Sequence, residues 1–328
     1  MTSSDLSQLG DYLMVRRLGA SRLGETWQAR KVGAAGSFVV RRLPPFLCED
    51  RAAVDLFFEE LRPLRALDHP NLARLVDYGR AGETCFVATE FVDGLSLADC
   101  LRANQAALPP PLAAELAAQA CEGLAYAHGA LTRWSGTARC AHGELCPENL
   151  VVDQAGLVRV LDFGLARASA ALSTLRVDAS RPAFRYMAPE LVRGSTPEVT
   201  DRVDVYALGA VLLTLVTGRR PLEEIPDPVE FVYRLCQTGL PRATEGALPP
   251  AVRDLVAQAT SADAAKRHAG ATELIGALDA YLKTAAPTPQ QLIGELVRFW
   301  SGRGEDPRLR RPSVIVSQEL LSAAPKSA

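Results

Sequence analysis

The chain has 328 residues, 48% of them hydrophobic, and a formal charge of −2. That length suits one large two-lobed domain with a tail, or two small domains, and the apolar content is ample for a packed core. The near-neutral charge argues against nucleic acid or an anionic membrane surface as partner, no apolar run reaches the length of a membrane span, and residues 1–11 lack the basic-then-apolar order of a signal peptide.

Residues 11 to about 90 alternate short β-branched runs with glycine turns. Leu13-Met14-Val15, Thr26-Trp27-Gln28-Ala29 and Phe38-Val39-Val40 read as strands. Residues 52–67 have helical spacing, with Leu56, Phe57, Glu60 and Leu64 assigned to one face. Pro63 predicts a kink or stop there, because an interior proline removes a backbone hydrogen bond at a cost of about 3 kcal/mol. Residues 84–92 read as two strands' worth of buried chain leading to a turn at Asp93-Gly94. Helices are then predicted over 112–128, 203–217, 252–259 and 271–283, the second buried on all sides because it is apolar all round. Residues 129–141, with Trp134, read as an excursion, a surface hairpin by default. Beyond Lys283 come a linker, an amphipathic helix over 290–300, a charged break at 301–311 and an apolar patch at Val314-Ile315-Val316. Arg310-Arg311-Pro312-Ser313 is a weak phosphorylation pattern whose default reading is a basic turn. Seven cysteines (Cys48, Cys85, Cys100, Cys121, Cys140, Cys146, Cys236) contain no C-x-x-C pair and read as reduced, cytoplasmic thiols.

Several short motifs follow one another in a telling order. Leu18-Gly19-Ala20-Ser21-Arg22-Leu23-Gly24 is a glycine-rich turn between two predicted strands. Phe38-Val39-Val40-Arg41 ends a strand on a charge, and Glu60 precedes His69-Pro70-Asn71. His142-Gly143-Glu144-Leu145-Cys146-Pro147-Glu148-Asn149-Leu150, then Asp162-Phe163-Gly164, then Ala188-Pro189-Glu190 complete the series. Over roughly residues 12–283 this order resembles protein kinases, with overall likeness to bacterial serine/threonine kinases of the eukaryotic type.

The resemblance implies an α+β, bilobal kinase-like fold. A small β-rich lobe with one helix is expected over about 12–91 and a large helical lobe over about 92–283. Residues 1–11 precede them, and residues 284–328 form a tail with a short amphipathic helix. It also implies ATP and Mg2+ as cofactors. The nucleotide would be lined by Gly19, Ser21, Gly24, Thr26, Val39, Thr89, Glu90, Val92 and Val151, and the metal held by Asn149 and Asp162. Leu64, His142 and Phe163 would form an apolar column between the lobes. Asp204 would brace the catalytic loop, and Arg267 would pair with Glu190.

The departures concentrate where phosphate moves. Glu144 stands at the catalytic aspartate, Cys146 at the loop lysine, Ala183 at a threonine that bridges those two, and Arg41 at the lysine expected to pair with Glu60. An Arg41–Glu60 pair is therefore expected. One added methylene displaces the Glu144 carboxylate, and a shift of about 1 Å can cost on the order of 100-fold where geometry supplies the rate. A thiol brings no positive charge to Cys146. Cys146 reads as an inert thiol, and His69 and His268 as structural. Ser21 puts a Cβ where backbone must approach phosphate, and Val39 crowds the adenine side. Asn149 and Asp162 argue for nucleotide through a metal; Ser21, Thr26, Val39 and Arg41 argue against it. The sequence thus reads as a pseudokinase acting by protein–protein contact on other signalling proteins, such as an active kinase or its substrate. The alternative is an active kinase with Glu144 as base and Arg41 in place of lysine.

Overall fold

The computed structural model describes residues 8–21, 23–104, 107–135, 141–170, 172, 179, 181–194, 200–240, 248–285, 288, 291, 293, 294, 296 and 297. Strands β1 (Gln8–Leu9), β2 (Tyr12–Ser21), β3 (Gly24–Lys31), β4 (Phe38–Arg42), β5 (Leu75–Ala81) and β6 (Thr84–Glu90) form one antiparallel sheet in the order β1-β2-β3-β4-β6-β5. The β2–β3 hairpin pairs Gly19 with Thr26 and Ser21 with Gly24. Gly24 is obligatory: its φ is +107°, and a Cβ there would lie 1.8 Å from the Arg42 carbonyl oxygen.

Helix α1 (Pro45–Cys48) is a single turn, and α2 (Arg51–Leu61) follows it. Asp50 caps α2 by accepting the Ala53 N–H at 3.0 Å. The expected effect of Pro63 is realised: α2 stops at Leu61 and tightens into a 3-10 turn over Arg62–Ala66. The predicted apolar face needs a correction. Ala53, Val54, Phe57 and Leu61 turn inward, while Leu56 is 60% exposed. Consecutive helical residues sit about 100° apart, so Leu56 cannot share the Phe57 direction.

Residues 84–92 also differ from expectation. One strand, β6, ends at Glu90, and β7 (Gly94–Ser96) belongs to a second sheet with β8 (Leu150–Asp153) and β9 (Val158–Val160). The turn expected at Asp93-Gly94 is instead a passage from one sheet to the other, with Gly94 already in β7. The second lobe is built on α3 (Leu97–Asn104), α4 (Pro110–Ser135), α5 (Leu165–Ala170), α6 (Pro189–Arg193), α7 (Arg202–Thr217), α8 (Pro228–Thr238), α9 (Pro250–Ala259) and α10 (Ala271–Leu282). Every residue of α7 from Val203 to Val216 is buried, as its sequence requires.

The excursion after His128 is not a hairpin at its start. Helix α4 simply continues through Ser135, leaving Trp134 63% exposed, while 136–140 lie outside the described residues. In the tail, residues 291, 293, 294, 296 and 297 have helical backbone. Ile293 and Leu296 pack against the main core. Gly156, at the β8–β9 turn with φ +82°, makes room for Ile293: a Cβ there would meet Ile293 Cγ2 at 2.5 Å. Cys140, Trp300, Ser313 and Val314-Ile315-Val316 lie outside the described residues.

Asp204 organises the large lobe from the first turn of α7. It is buried, and it accepts the His142 N–H at 2.7 Å, the Gly143 N–H at 2.9 Å and His128 Nε2 at 2.8 Å. Burial alone would raise its carboxyl. The His128 hydrogen bond, the charges of His128 and His142 and the Gly143 N–H outweigh burial and hold it below the ordinary carboxylate range. An acid depressed on folding stabilises above its unfolded value, about 3.9, and loses that contribution as pH falls through the lower folded value.

Asp204→Asn is expected to lower unfolding free energy by about 2–4 kcal/mol at pH 7. It should also flatten the pH dependence of stability below about pH 4; urea melts across pH check both. Removing residues 289–328 takes away two half-buried aliphatic anchors and is expected to cost about 1–3 kcal/mol by the same measurement.

Candidate active site

The cleft between the two lobes gathers the motif residues from β2, β3 and β4 above and from the 142–149 loop and the 162–164 turn below. His142 fixes the lower loop from within. Its Nε2–H donates to the Leu161 carbonyl at 2.8 Å, its Nδ1 accepts the Glu144 N–H at 3.3 Å, and its ring meets Phe163 edge-on with centroids 5.8 Å apart. Leu64 closes over Gly164, whose φ is +77° and whose missing Cβ would fall 2.6 Å from Leu64 Cδ1. Leu64, Phe163 and His142 thus stand together as the predicted column.

Two carboxylates face the cleft, and each is held by an arginine of the same chain. Glu144 receives both terminal nitrogens of Arg181, a bidentate pair. Burial pushes the Glu144 carboxyl upward and the nearby Asp162 charge adds to this, while Arg181, His142 and Arg41 pull it down; the net direction is upward. Asp162 receives Arg41 Nη2 at 2.7 Å, with the Arg41 side chain only 11% exposed. Asp162 also holds a left-handed backbone, φ +57°, uncommon for a residue with a side chain.

The expected Arg41–Glu60 pair is absent. Glu60 instead bonds Arg167 Nε at 2.8 Å. The reason is local: the chain directly after Gly164 coils into α5, which packs against α2 and presents Arg167 to it. Arg41, released from Glu60, lies toward Asp162.

Arg41 and Thr26 are direct partners across β3 and β4, so their side chains share a face of the sheet. Arg41 Nε and Thr26 Oγ1 are both buried and have no hydrogen-bond partner among the described residues. Each orphaned polar group costs about 1–3 kcal/mol. Ser21 is turned onto its own loop, accepting the Leu23 N–H at 3.2 Å, and Leu23 at the loop tip is buried in the main core. Val39 pairs with Thr89 across β4 and β6, Val151 is buried on β8, and Glu90 is drawn sideways to Arg159 at 2.8 Å. The backbone N–H and C=O of Val92 make no hydrogen bond among the described residues.

The metal positions fit poorly. Asn149 donates Nδ2–H to the Glu144 carbonyl at 2.9 Å, leaving its Oδ1 as an acceptor for a cation. Asp162, however, already carries the Arg41 guanidinium on Oδ2. A divalent ion within about 4 Å of that charge meets a repulsion on the order of 8 kcal/mol at an effective dielectric of about 20. Cys146 is buried, and burial together with the Glu148 charge drives its thiol far upward, so it is a neutral group. Ala183 is buried and offers no side-chain hydrogen bond.

The scaffold pairs are where the sequence places them. Arg267 forks onto Glu190 at 2.6 and 2.8 Å, and Asp204 holds the loop as described. Sequence reasoning missed Arg181, Arg167 and His128. Their partners lie across long loops or on other helices, and no local pattern marks them.

A family model described as protein kinase domain matches residues 12–277. Tyrosine-protein kinase MasK of Myxococcus xanthus is 29% identical over 285 residues, 84% of this chain and 44% of MasK. Serine/threonine-protein kinase PrkC of Bacillus subtilis is 26% identical over 277 residues, 84% of this chain and 40% of PrkC. The chain thus spans less than half the length of either relative. The solved kinase domain of Mycobacterium tuberculosis PknI superposes with a TM-score of 0.62 at 22% identity, covering 85% of this chain and 98% of that one, a likeness of fold. With its motifs in order, its two lobes and a domain match over most of its length, the chain belongs to the protein kinase family.

Proposed function

We propose that this chain is a catalytically impaired kinase homologue, a pseudokinase that serves as a signalling scaffold or regulator through protein–protein contact. The observation that carries this reading is the pairing of both cleft carboxylates with arginines of the chain: Glu144 with Arg181 and Asp162 with Arg41. Phosphoryl transfer depends almost wholly on positioning and on charge placed around the moving group. With both of its oxygens on Arg181, Glu144 has neither oxygen free to receive a substrate hydroxyl. A metal carboxylate already neutralised binds a cation poorly. Cys146 and Ala183 add no charge and no hydrogen bond to compensate.

Kinases of this family generally use ATP and Mg2+. Here the cleft keeps the Val92 backbone and Asn149 Oδ1 for such a ligand, so nucleotide acts as a bound effector and not as a phosphate donor. The proteins it would engage are other signalling proteins, an active kinase or that kinase's substrate. The exposed faces around Leu56 and Trp134 offer apolar contact for them.

Incubation of the full chain with radiolabelled ATP, Mg2+ and a generic protein substrate is expected to give no label above that of Asp162→Asn. Incorporation that disappears in Asp162→Asn would sink the reading in favour of an active enzyme with Glu144 as base. Arg181→Ala alone is expected to leave the label at background, because Cys146 and Ala183 still lack the charge and hydrogen bond that transfer needs.

A further inference from the structure

We propose that Arg41 is a built-in counter-ion that replaces the metal, so that the cleft binds a nucleoside polyphosphate without Mg2+. The inference deepens the reading of the cleft as an effector site and rests on it. It does not depend on whether transfer is lost.

Three observations point the same way. First, the guanidinium sits on Asp162 Oδ2 at 2.7 Å, where a metal-binding carboxylate would otherwise receive its cation. The positive charge that a metal would bring to phosphate oxygens is already in place and covalently attached. Second, the guanidinium is not exhausted by that contact. It carries five N–H groups in a planar fork, and the Nε donor is buried with no partner among the described residues. Third, Thr26 Oγ1, directly across the sheet on the same face, is orphaned as well. Native interiors rarely leave two neighbouring polar atoms unpaired. A phosphate oxygen accepts from both.

The arginine matters as an arginine. A lysine is a compact point charge whose three N–H donors radiate from one nitrogen, so it lacks the planar two-point fit to an oxyanion. A guanidinium fork serves a carboxylate and a phosphate at once, holding Asp162 with one nitrogen while offering others to an oxyanion. Glu60 does not compete, because Arg167 occupies it. The nucleobase end is left to the Val92 N–H and C=O. A metal ion gains little from this arrangement, since it would share Asp162 with a guanidinium already on Oδ2 and be repelled by it.

The test is calorimetric titration of the full chain with ATP, once in EDTA and once in excess Mg2+, with inorganic tripolyphosphate as a second probe. The expected result is ATP binding in EDTA that Mg2+ strengthens by less than about threefold, with tripolyphosphate binding more weakly. Arg41→Gln, and separately Arg41→Lys, should each weaken binding in EDTA by about tenfold or more, the loss of one charge-assisted contact. Melting curves of each variant establish that it is folded. Asp162→Asn should tighten binding in EDTA, because the amide releases the guanidinium to phosphate. Binding seen only with Mg2+, or weakened by Asp162→Asn in EDTA, would overturn the inference. So would the absence of ATP binding under both conditions, a result that leaves the loss of transfer standing. Measured phosphotransfer would remove that other reading and leave metal-free binding to be judged by the titrations alone.

Discussion

A single buried carboxylate sets the floor of the cleft. Asp204 accepts hydrogen bonds from two consecutive backbone amides and one imidazole, and these fix the chain at His142 and Gly143. From there His142 ties down Leu161 and orients the Glu144 amide. The positions of Glu144, Asn149 and Asp162 all follow from that anchoring. A charge so deep in an apolar helix would be ruinous without its donors, since an isolated buried carboxylate costs several kcal/mol. The chain therefore keeps the anchor intact whatever happens to the groups it positions.

Those groups have been redirected by arginines. The cleft contains the acidic residues of the family's motifs, yet Arg41 and Arg181 meet them from β4 and from the segment before Pro182. Arg167 completes the rearrangement by taking Glu60. The three pairs form a consistent set: α5 brings Arg167 to α2, which leaves Arg41 without its expected partner, which turns it to Asp162. Internal neutralisation of this kind lowers the negative potential of the cleft without any ligand and reduces what a metal would gain by entering.

Much of this was legible beforehand, and the reasons are physical. Motif order carried the resemblance to the family; separately, the Pro63 stop and the apolar helix α7 were legible because each imposes a local constraint on the chain. Asp204 and the Arg267–Glu190 fork were readable because they belong to fixed motifs. The ion pairs of the cleft were not. Glu144 and Arg181 are separated by a long segment, and a charge on one loop carries no mark of which opposite charge it will meet. Leu56 departs from its expected face for a different reason: it and Phe57 are adjacent, and one step along a helix turns a side chain about a quarter circle away. The surface hairpin expected over 129–141 gives way to helix through Ser135, because an α-helix lengthens by adding turns at its end just as readily as a loop is inserted.

Asp162 carries one more implication, through its backbone. A φ of +57° is a region that asparagine and aspartate enter more readily than other side chains do. Exchange of its carboxylate for an amide therefore alters charge while sparing the main chain. An alanine at the same place would add torsional strain to the loss of charge and confuse the two. The geometry of the 162–164 turn thus supplies its own clean chemical probe, one in which electrostatics can be changed and conformation held still.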